Sequence, residues 1–294
     1  MLAPLAGRIY HHAPQQNALP LGSDKLDCEG GDLPQRCAYC DGSGPLTRDH
    51  VWPECFLDRT GRVAAHFSHQ SERAHGADYV VGDVCSRCNN DILSKLDDYL
   101  CRLYDEYFAE ARGFGATVVF RYDYHLLVRT LLKIAYNSAR AAGSDHEHLR
   151  RLRSYILLGE PVPTQLALFA EIVSPTLVAD SKEPSGNRTV LPSGFYRSAI
   201  TRLLTPHGDR LRPRIVAIDS FYFHLLLPAV ALADSEFEEA AAELGEYVPG
   251  VVRLSPLSTE LILKTSPQDA ISSAVPHVRR HEKTYREFFK RRKA

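Results

Sequence analysis

Two C-x-x-C pairs, Cys37-Ala-Tyr-Cys40 and Cys85-Ser-Arg-Cys88, constrain this chain more than any other feature of it. Such a turn brings two thiolates to about the separation that tetrahedral Zn²⁺ demands, and two turns complete the coordination shell. A closed shell of four thiolates has no open position for a substrate, so the expected zinc is structural. The seven cysteines are an odd number, which suits a disulfide framework poorly. The opening MLAPLAGRIYHHAPQQ lacks the charged and continuously apolar segments of an export signal, so metal is favoured over bridges and the cytoplasm is the expected location.

The 294 residues, 44% hydrophobic and 24% charged, are enough for one large or two modest domains. No apolar run approaches the roughly 18–20 residues that span a bilayer, so no membrane segment is expected. The formal net charge of -1 provides no global basic field, and any contact with nucleic acid must come from locally placed charge.

The periodicity predicts an α+β protein. Residues 1–36, rich in Pro, Gly, Gln and Asp, read as an N-terminal arm, and residues 37–112 as a small zinc-stapled module. Its last part is a helix over about 91–111, on which Ile92, Leu93, Leu96, Leu100, Leu103, Tyr107 and Phe108 recur at steps of three and four. Residues 113–294 read as an α+β accessory domain. Helices are expected over about 124–142, 146–158 and 235–244, the last capped by Asp234 or Ser235. Strands are expected at 117–121, 166–173, 214–218, 222–227 and 260–264, and a surface loop at 179–193. From His277 the chain holds eight Lys or Arg against two Glu, a basic terminal helix that either is simply solvated or contacts nucleic acid.

Between the knuckles lies Leu46-Thr47-Arg48-Asp49-His50-Val51-Trp52-Pro53, and directly after the second come Asn89 and Asn90. Over about Cys37 to Leu100 the chain here resembles the zinc-stapled branch of the HNH (ββα-metal) nuclease superfamily, which includes colicin DNases, homing enzymes and several restriction nucleases. That branch reads C-x-x-C, then [DEH]-H-[IV]-x-P, then C-x-x-C-[NH]. The resemblance implies a metal-dependent endonuclease that hydrolyses phosphodiester bonds, with DNA as the expected partner and restriction or anti-phage defence as a natural setting. It implies that His50 deprotonates the attacking water. It also implies that Asp49 and Asn89 hold a catalytic Mg²⁺ or Mn²⁺, distinct from the structural zinc on Cys37, Cys40, Cys85 and Cys88.

The chemistry suits these residue types. Phosphodiester hydrolysis needs a base effective near neutral pH and a cation on the phosphate oxygens, and histidine with an ordinary pKa near 6.5 is such a base. A carboxylate and an amide oxygen together hold a hard dication while leaving positions for water and phosphate. Adjacent residues on a strand point to opposite faces, so a twist or bulge is needed if Asp49 and His50 are to converge. A non-catalytic zinc ribbon that binds nucleic acid, and an RNase built on the same centre, are the alternatives.

One position departs from the family pattern. Where many members carry an asparagine that orients the catalytic histidine, this chain has Val80; Asp78, Asp83 or a backbone carbonyl is left to do it. The insert over 57–77 brings Arg59, Arg62, His66, His69, Arg73 and His75, a surface loop or a phosphate contact. Asp97 and Asp98 are expected on the solvated helix face, with Asp97 a lesser candidate ligand. Lys133, in Lys-Ile-Ala-Tyr-Asn, is expected at the surface or on a phosphate, Trp52 and Pro53 beneath the hairpin, and Cys28, Cys55 and Cys101 without chemistry.

Overall fold

The computed structural model describes residues 36–60, 65–68, 73–76, 79–174, 177–179, 188–190, 196–201, 203 and 206–269. The expected N-terminal arm up to residue 35, the basic terminal helix, Asp78, Arg62 and the side chains of His66, His69, Arg73 and His75 lie outside the described residues.

The first knuckle leads into β1 (Leu46–His50), α1 (Glu54–Arg59) and a hairpin of β2 (Ala65–Ser68) with β3 (Arg73–Gly76). The insert read as a loop is therefore partly paired strand. Strand β4 (Val80–Cys85) returns antiparallel to β1 and ends on the first cysteine of the second knuckle. A helical run then extends from Arg87 to Phe108, with α2 (Ser94–Leu103) between π-helical stretches at Arg87–Leu93 and Tyr104–Phe108. The helix starts earlier than the apolar periodicity suggests, because the second knuckle itself forms its first turn.

Strand β5 (Thr117–Arg121) has its expected bounds. Helix α3 (Tyr124–Ala141) opens on Asp123, whose carboxylate accepts the Leu126 amide at 2.9 Å, and is followed by Gly143 at φ +63°. The single helix expected next is two, α4 (His146–Arg150) and α5 (Arg153–Leu158). Arginines at the break are drawn different ways: Arg151 donates to the Pro228 carbonyl at 2.7 Å, while Arg153 pairs with Asp41 beside the first knuckle. Gly159, left-handed at φ +80°, ends α5 as expected.

The rest is a sheet. Strands β6 (Ala167–Ser174), β7 (Leu177–Ala179), β8 (Arg188–Val190), β9 (Tyr196–Ile200), β10 (Arg214–Ile218) and β11 (Phe221–Leu226) precede α6 (Asp234–Tyr247), β12 (Val252–Arg253) and β13 (Glu260–Asp269). The main sheet has seven strands in the order β5-β13-β6-β11-β10-β9, with β12 also on β6. Among the described residues only the β13–β6 pairing is parallel. Within the stretch expected as a surface loop, Arg188–Val190 forms β8, which pairs antiparallel with β7 at its start; residues 180–187 and 191–193 of it lie outside the described residues. Ala233, not Asp234 or Ser235, caps α6, its amide donating to Glu236 at 2.9 Å.

Alternation along β6 decides which layer each face meets. Leu168, Ala170 and Ile172 share one continuous core with Phe56, Leu100, Leu131 and Phe223, so the inner sheet face, α2, α3 and the cysteine module pack as one body. Ala167 and Phe169 face the other way, onto Phe237, Ala240 and Leu244 of α6. Trp52 lies 5.2 Å from the Phe56 ring and 4.8 Å from Tyr196 of β9, joining the hairpin exit to the sheet. None of the described helices is long and apolar enough to cross a membrane.

Cys55 and Cys101 form a disulfide that ties α1 to α2, contrary to the reading that gave neither cysteine any chemistry. Nothing local in the sequence marks the pair; the packing of α1 on α2 brings their Cα atoms to 6.4 Å. Closing a loop of 46 residues constrains the unfolded chain, and Cys55→Ser is expected to lower stability by about 2–4 kcal/mol. Denaturant unfolding checks this, and the Cys55→Ser, Cys101→Ser double variant should lose no more than either single one.

Candidate functional site

The four knuckle sulfurs lie within 4.8 Å of one another, with Cys37 and Cys88 buried and Cys40 exposed. The first knuckle is held as a tight turn, since the Cys37 amide donates to the Gly42 carbonyl at 3.0 Å and Asp41 is left-handed at φ +56°. A Cβ on Gly42 would stand 3.2 Å from the Cys40 sulfur, so this position is best filled by glycine. The Ala38 amide donates to the Asp83 carbonyl at 2.8 Å and the Cys85 amide to the Cys37 sulfur at 3.3 Å, which dock the first knuckle on β4.

Burial raises the Cys37 thiol, but the Cys85, Cys40 and Tyr39 amides outweigh it and leave the thiol at about 7. Burial and the sulfurs of Cys85 and Cys40 push Cys88 up. Four sulfurs this close cannot all ionise without a cation among them, and their soft donors suit Zn²⁺. The N-terminal region is thus a four-cysteine metal-binding module with a β-β-α arrangement, set in an α+β fold.

The pairing of β1 with β4 is irregular: Thr47 lies opposite Val84 and Asp49 opposite Val81, so two steps on β1 match three on β4. This is a bulge, on β4 and before Asp49; the Asp49-His50 step itself pairs regularly with Val81 and Val80. Asp49 turns inward and is 3% exposed. His50 is half-buried and pairs directly with Val80, the position where the related motif carries asparagine. The Val80 side chain has no polar atom to offer, and the Asp83 carboxylate is taken by Arg140. Asn89 is near the strand: its Nδ2 donates to Thr47 Oγ1 and to the Arg48 carbonyl, both at 3.0 Å. Asn90 instead donates to Ser86 Oγ at 3.0 Å.

Asp49 meets α3, not Asn89, in the contacts it makes. Its Oδ2 accepts from Asn137 at 2.7 Å, and its Oδ1 lies 3.2 Å from Lys133 Nζ. Lys133, expected at the surface, is 1% exposed and also bonds both oxygens of Asp97, at 2.5 and 2.7 Å. Asp97, expected on the solvated face, is thereby an ion-pair partner on the buried side of α2. Burial lowers the Lys133 pKa, but Asp97 and Asp49 outweigh it and hold the ammonium above the usual lysine range. Burial raises Asp97 to about 6, against the opposing pull of Lys133.

The network continues along one stripe of α3. Asn137 Oδ1 accepts from Tyr39 Oη at 2.7 Å and from Arg140 at 2.8 Å, so every polar atom of this amide but one hydrogen is engaged. Arg140 also lies over the Tyr136 ring, 4.9 Å from its centre, and Tyr136 Oη donates to the Ala38 carbonyl at 3.2 Å. Helix α3 therefore clasps the first knuckle, β1 and β4 together. Asn137 and Arg140 carried no role in the sequence reading. Their spacing from Lys133 by four and seven was the available signal, a polar stripe on an otherwise apolar helix.

For zinc the residues fit, by sulfur chemistry and mutual distance. For a hard dication at Asp49 they do not fit as arranged, because an ammonium already compensates this buried carboxylate and both its oxygens are engaged. Comparison of the chain with models of known protein families, with curated proteins and with solved structures gave no match.

Proposed function

We propose that this chain is an endonuclease of the ββα-metal type that hydrolyses phosphodiester bonds in DNA, with His50 as the general base. The observation that carries the reading is the pair of hydrogen bonds from Asn89 to Thr47 and Arg48, which lay the helix after the second knuckle against the strand that ends in His50. The order of knuckle, Asp-His strand, return strand, knuckle and helix agrees with it.

His50 is half-buried, and no described residue hydrogen-bonds its imidazole, so its nitrogens are open to a water. The base takes a proton from that water as its oxygen bonds to phosphorus, while one bridging P–O bond breaks and the departing sugar oxygen takes a proton from solvent. The reading includes Mg²⁺ or Mn²⁺, which Asn89 would help to hold and which would supply charge neutralisation of the phosphate; Asp49, engaged by Lys133 and Asn137, is not counted among its ligands. Arg48, whose carbonyl accepts from Asn89, and Arg87, two residues before Asn89, are exposed and offer local positive charge to a phosphate backbone.

A second reading, a zinc ribbon that binds nucleic acid without cleaving it, is favoured by the burial of Asp49 against Lys133 and Asn137. Nicking of supercoiled plasmid decides between them. Cleavage abolished by mild chelation and restored by Mg²⁺ or Mn²⁺ supports the nuclease, whereas binding with no cleavage under any of these metals leaves only the ribbon. A single-stranded RNA substrate in parallel tests the RNase alternative. Within the nuclease reading, Asn89→Ala should shift the metal rescue to about 10–100-fold higher concentration, and Asn90→Ala, bonded to Ser86 instead, should not. The reverse ranking would remove Asn89 from the ligand set.

A further inference from the structure

Three arginines come together at the end of the sheet where β10 begins and β11 ends. Arg151, which follows α4, donates to the Pro228 carbonyl at 2.7 Å, and Pro228 stands opposite Leu211 across the two strands. Arg212 comes directly after Leu211, and Arg214 opens β10. Arg214 is 3% exposed; its Nη2 donates to the carboxylate and the carbonyl of Asp145, at 3.0 and 3.1 Å. Its Nε is buried and has no hydrogen-bond partner. Arg151 and Arg212 are exposed, and no carboxylate among the described residues is within ion-pair reach of either. The Arg212 side chain donates to the neighbouring Leu211 carbonyl at 3.3 Å.

His148 of α4 registers the same charges. Its Nε2 lies 3.1 Å from Arg151 Nη2, and a guanidinium can only donate, so Nε2 accepts and the ring is neutral. Burial, then Arg151, Arg214 and Arg212, hold the imidazole down at about 4, with Asp145 alone opposing them. Three guanidiniums against one carboxylate leave positive charge in excess here, in a chain whose net charge is -1. Like charges gathered in partly buried surroundings cost free energy that an anion placed among them offsets.

We infer that Arg151, Arg212 and Arg214 form a phosphate-binding site. A phosphate presents oxygens on several sides, which suits guanidinium forks arriving from α4 and β10 better than a flat carboxylate does. Arg214 supplies the buried donor, and exposed Arg151 and Arg212 leave the entrance open. The phosphate is either free or part of a nucleic-acid backbone. His50 and Asn89 take no part in the site, so it stands or falls separately from the nuclease reading.

The test uses the full zinc-loaded chain without other metal, and two probes, inorganic phosphate and a short DNA duplex. Calorimetric titration should find one site that prefers phosphate to acetate by about tenfold at equal ionic strength. Arg212→Gln and Arg151→Gln should each weaken phosphate binding by about tenfold. Arg212→Gln gives up no contact between elements, so it carries the test if Arg151→Gln, which loses the Pro228 bond, does not fold. Arg150→Gln is the control: this exposed neighbour lies 3.5 Å from Asp41 and 3.5 Å from Glu147, and its loss should leave the affinity unchanged.

Duplex binding that phosphate displaces and Arg212→Gln weakens assigns the site to a nucleic-acid backbone. Phosphate binding that the duplex does not disturb assigns it to a free phosphate. Either result supports the site. No preference for phosphate over acetate, full affinity in Arg212→Gln, or an equal loss in Arg150→Gln overturns it.

Discussion

Cys37→Ser or Cys88→Ser is expected to unfold the N-terminal module and to take much of the protein with it. Both cysteines are fully or almost fully buried, and their sulfurs lie within 4.8 Å of those of Cys40 and Cys85. A structural zinc contributes on the order of 10 kcal/mol to small sites of this kind. That is comparable to the whole stability of an ordinary domain, about 5–15 kcal/mol. The loss would not stay local, because Tyr39 of the first knuckle is bonded to Asn137 of α3, and α3 shares one core with the sheet. Metal analysis of the unaltered chain should find about one tightly held zinc per chain. A zinc-free protein that melts at the same temperature would refute the assignment.

For His50→Ala the expected result is the opposite combination: a folded, zinc-loaded chain with hydrolysis reduced by about 10²–10⁴. In free energy this is about 2.7–5.5 kcal/mol of barrier, while the stability change should be small. His50 is half-buried, its imidazole is hydrogen-bonded to no described residue, and it faces Val80 across the ladder. Removing its ring leaves no described partner unsatisfied, unlike removal of Asp49, which would orphan Asn137 and part of Lys133. Rates are measured on plasmid at saturating Mg²⁺, with melting and zinc content as controls. Cleavage at the full rate in this variant ends the assignment of His50, whatever the metal does.

Much of the secondary structure was legible because its signals are local. The apolar stripe and the Gly143 stop set the limits of α3, and β5 and β10 have the bounds that their apolar β-branched runs suggest. The four-cysteine site was legible because a C-x-x-C turn places its two sulfurs by short-range geometry alone. Less was visible where an element's limits depend on something outside it. The helix after the second knuckle begins at Arg87, before any apolar period starts, since the knuckle itself winds the turn. The helix expected over 146–158 breaks at Arg151–Leu152, where arginines reach to Pro228 and Asp41.

By itself, then, the sequence determined the long helices, the strands β5, β6, β10 and β11 and the paired knuckles. Only the tertiary structure decided that Asp49 faces inward, that Cys55 meets Cys101, and that Lys133 is buried between two acids. The reason is the range of the forces. A lysine on a helix is read as solvated because burying its charge alone costs several kcal/mol. That cost is offset here by carboxylates from β1 and α2, 84 and 36 residues away in sequence, and no local pattern announces a partner at that distance.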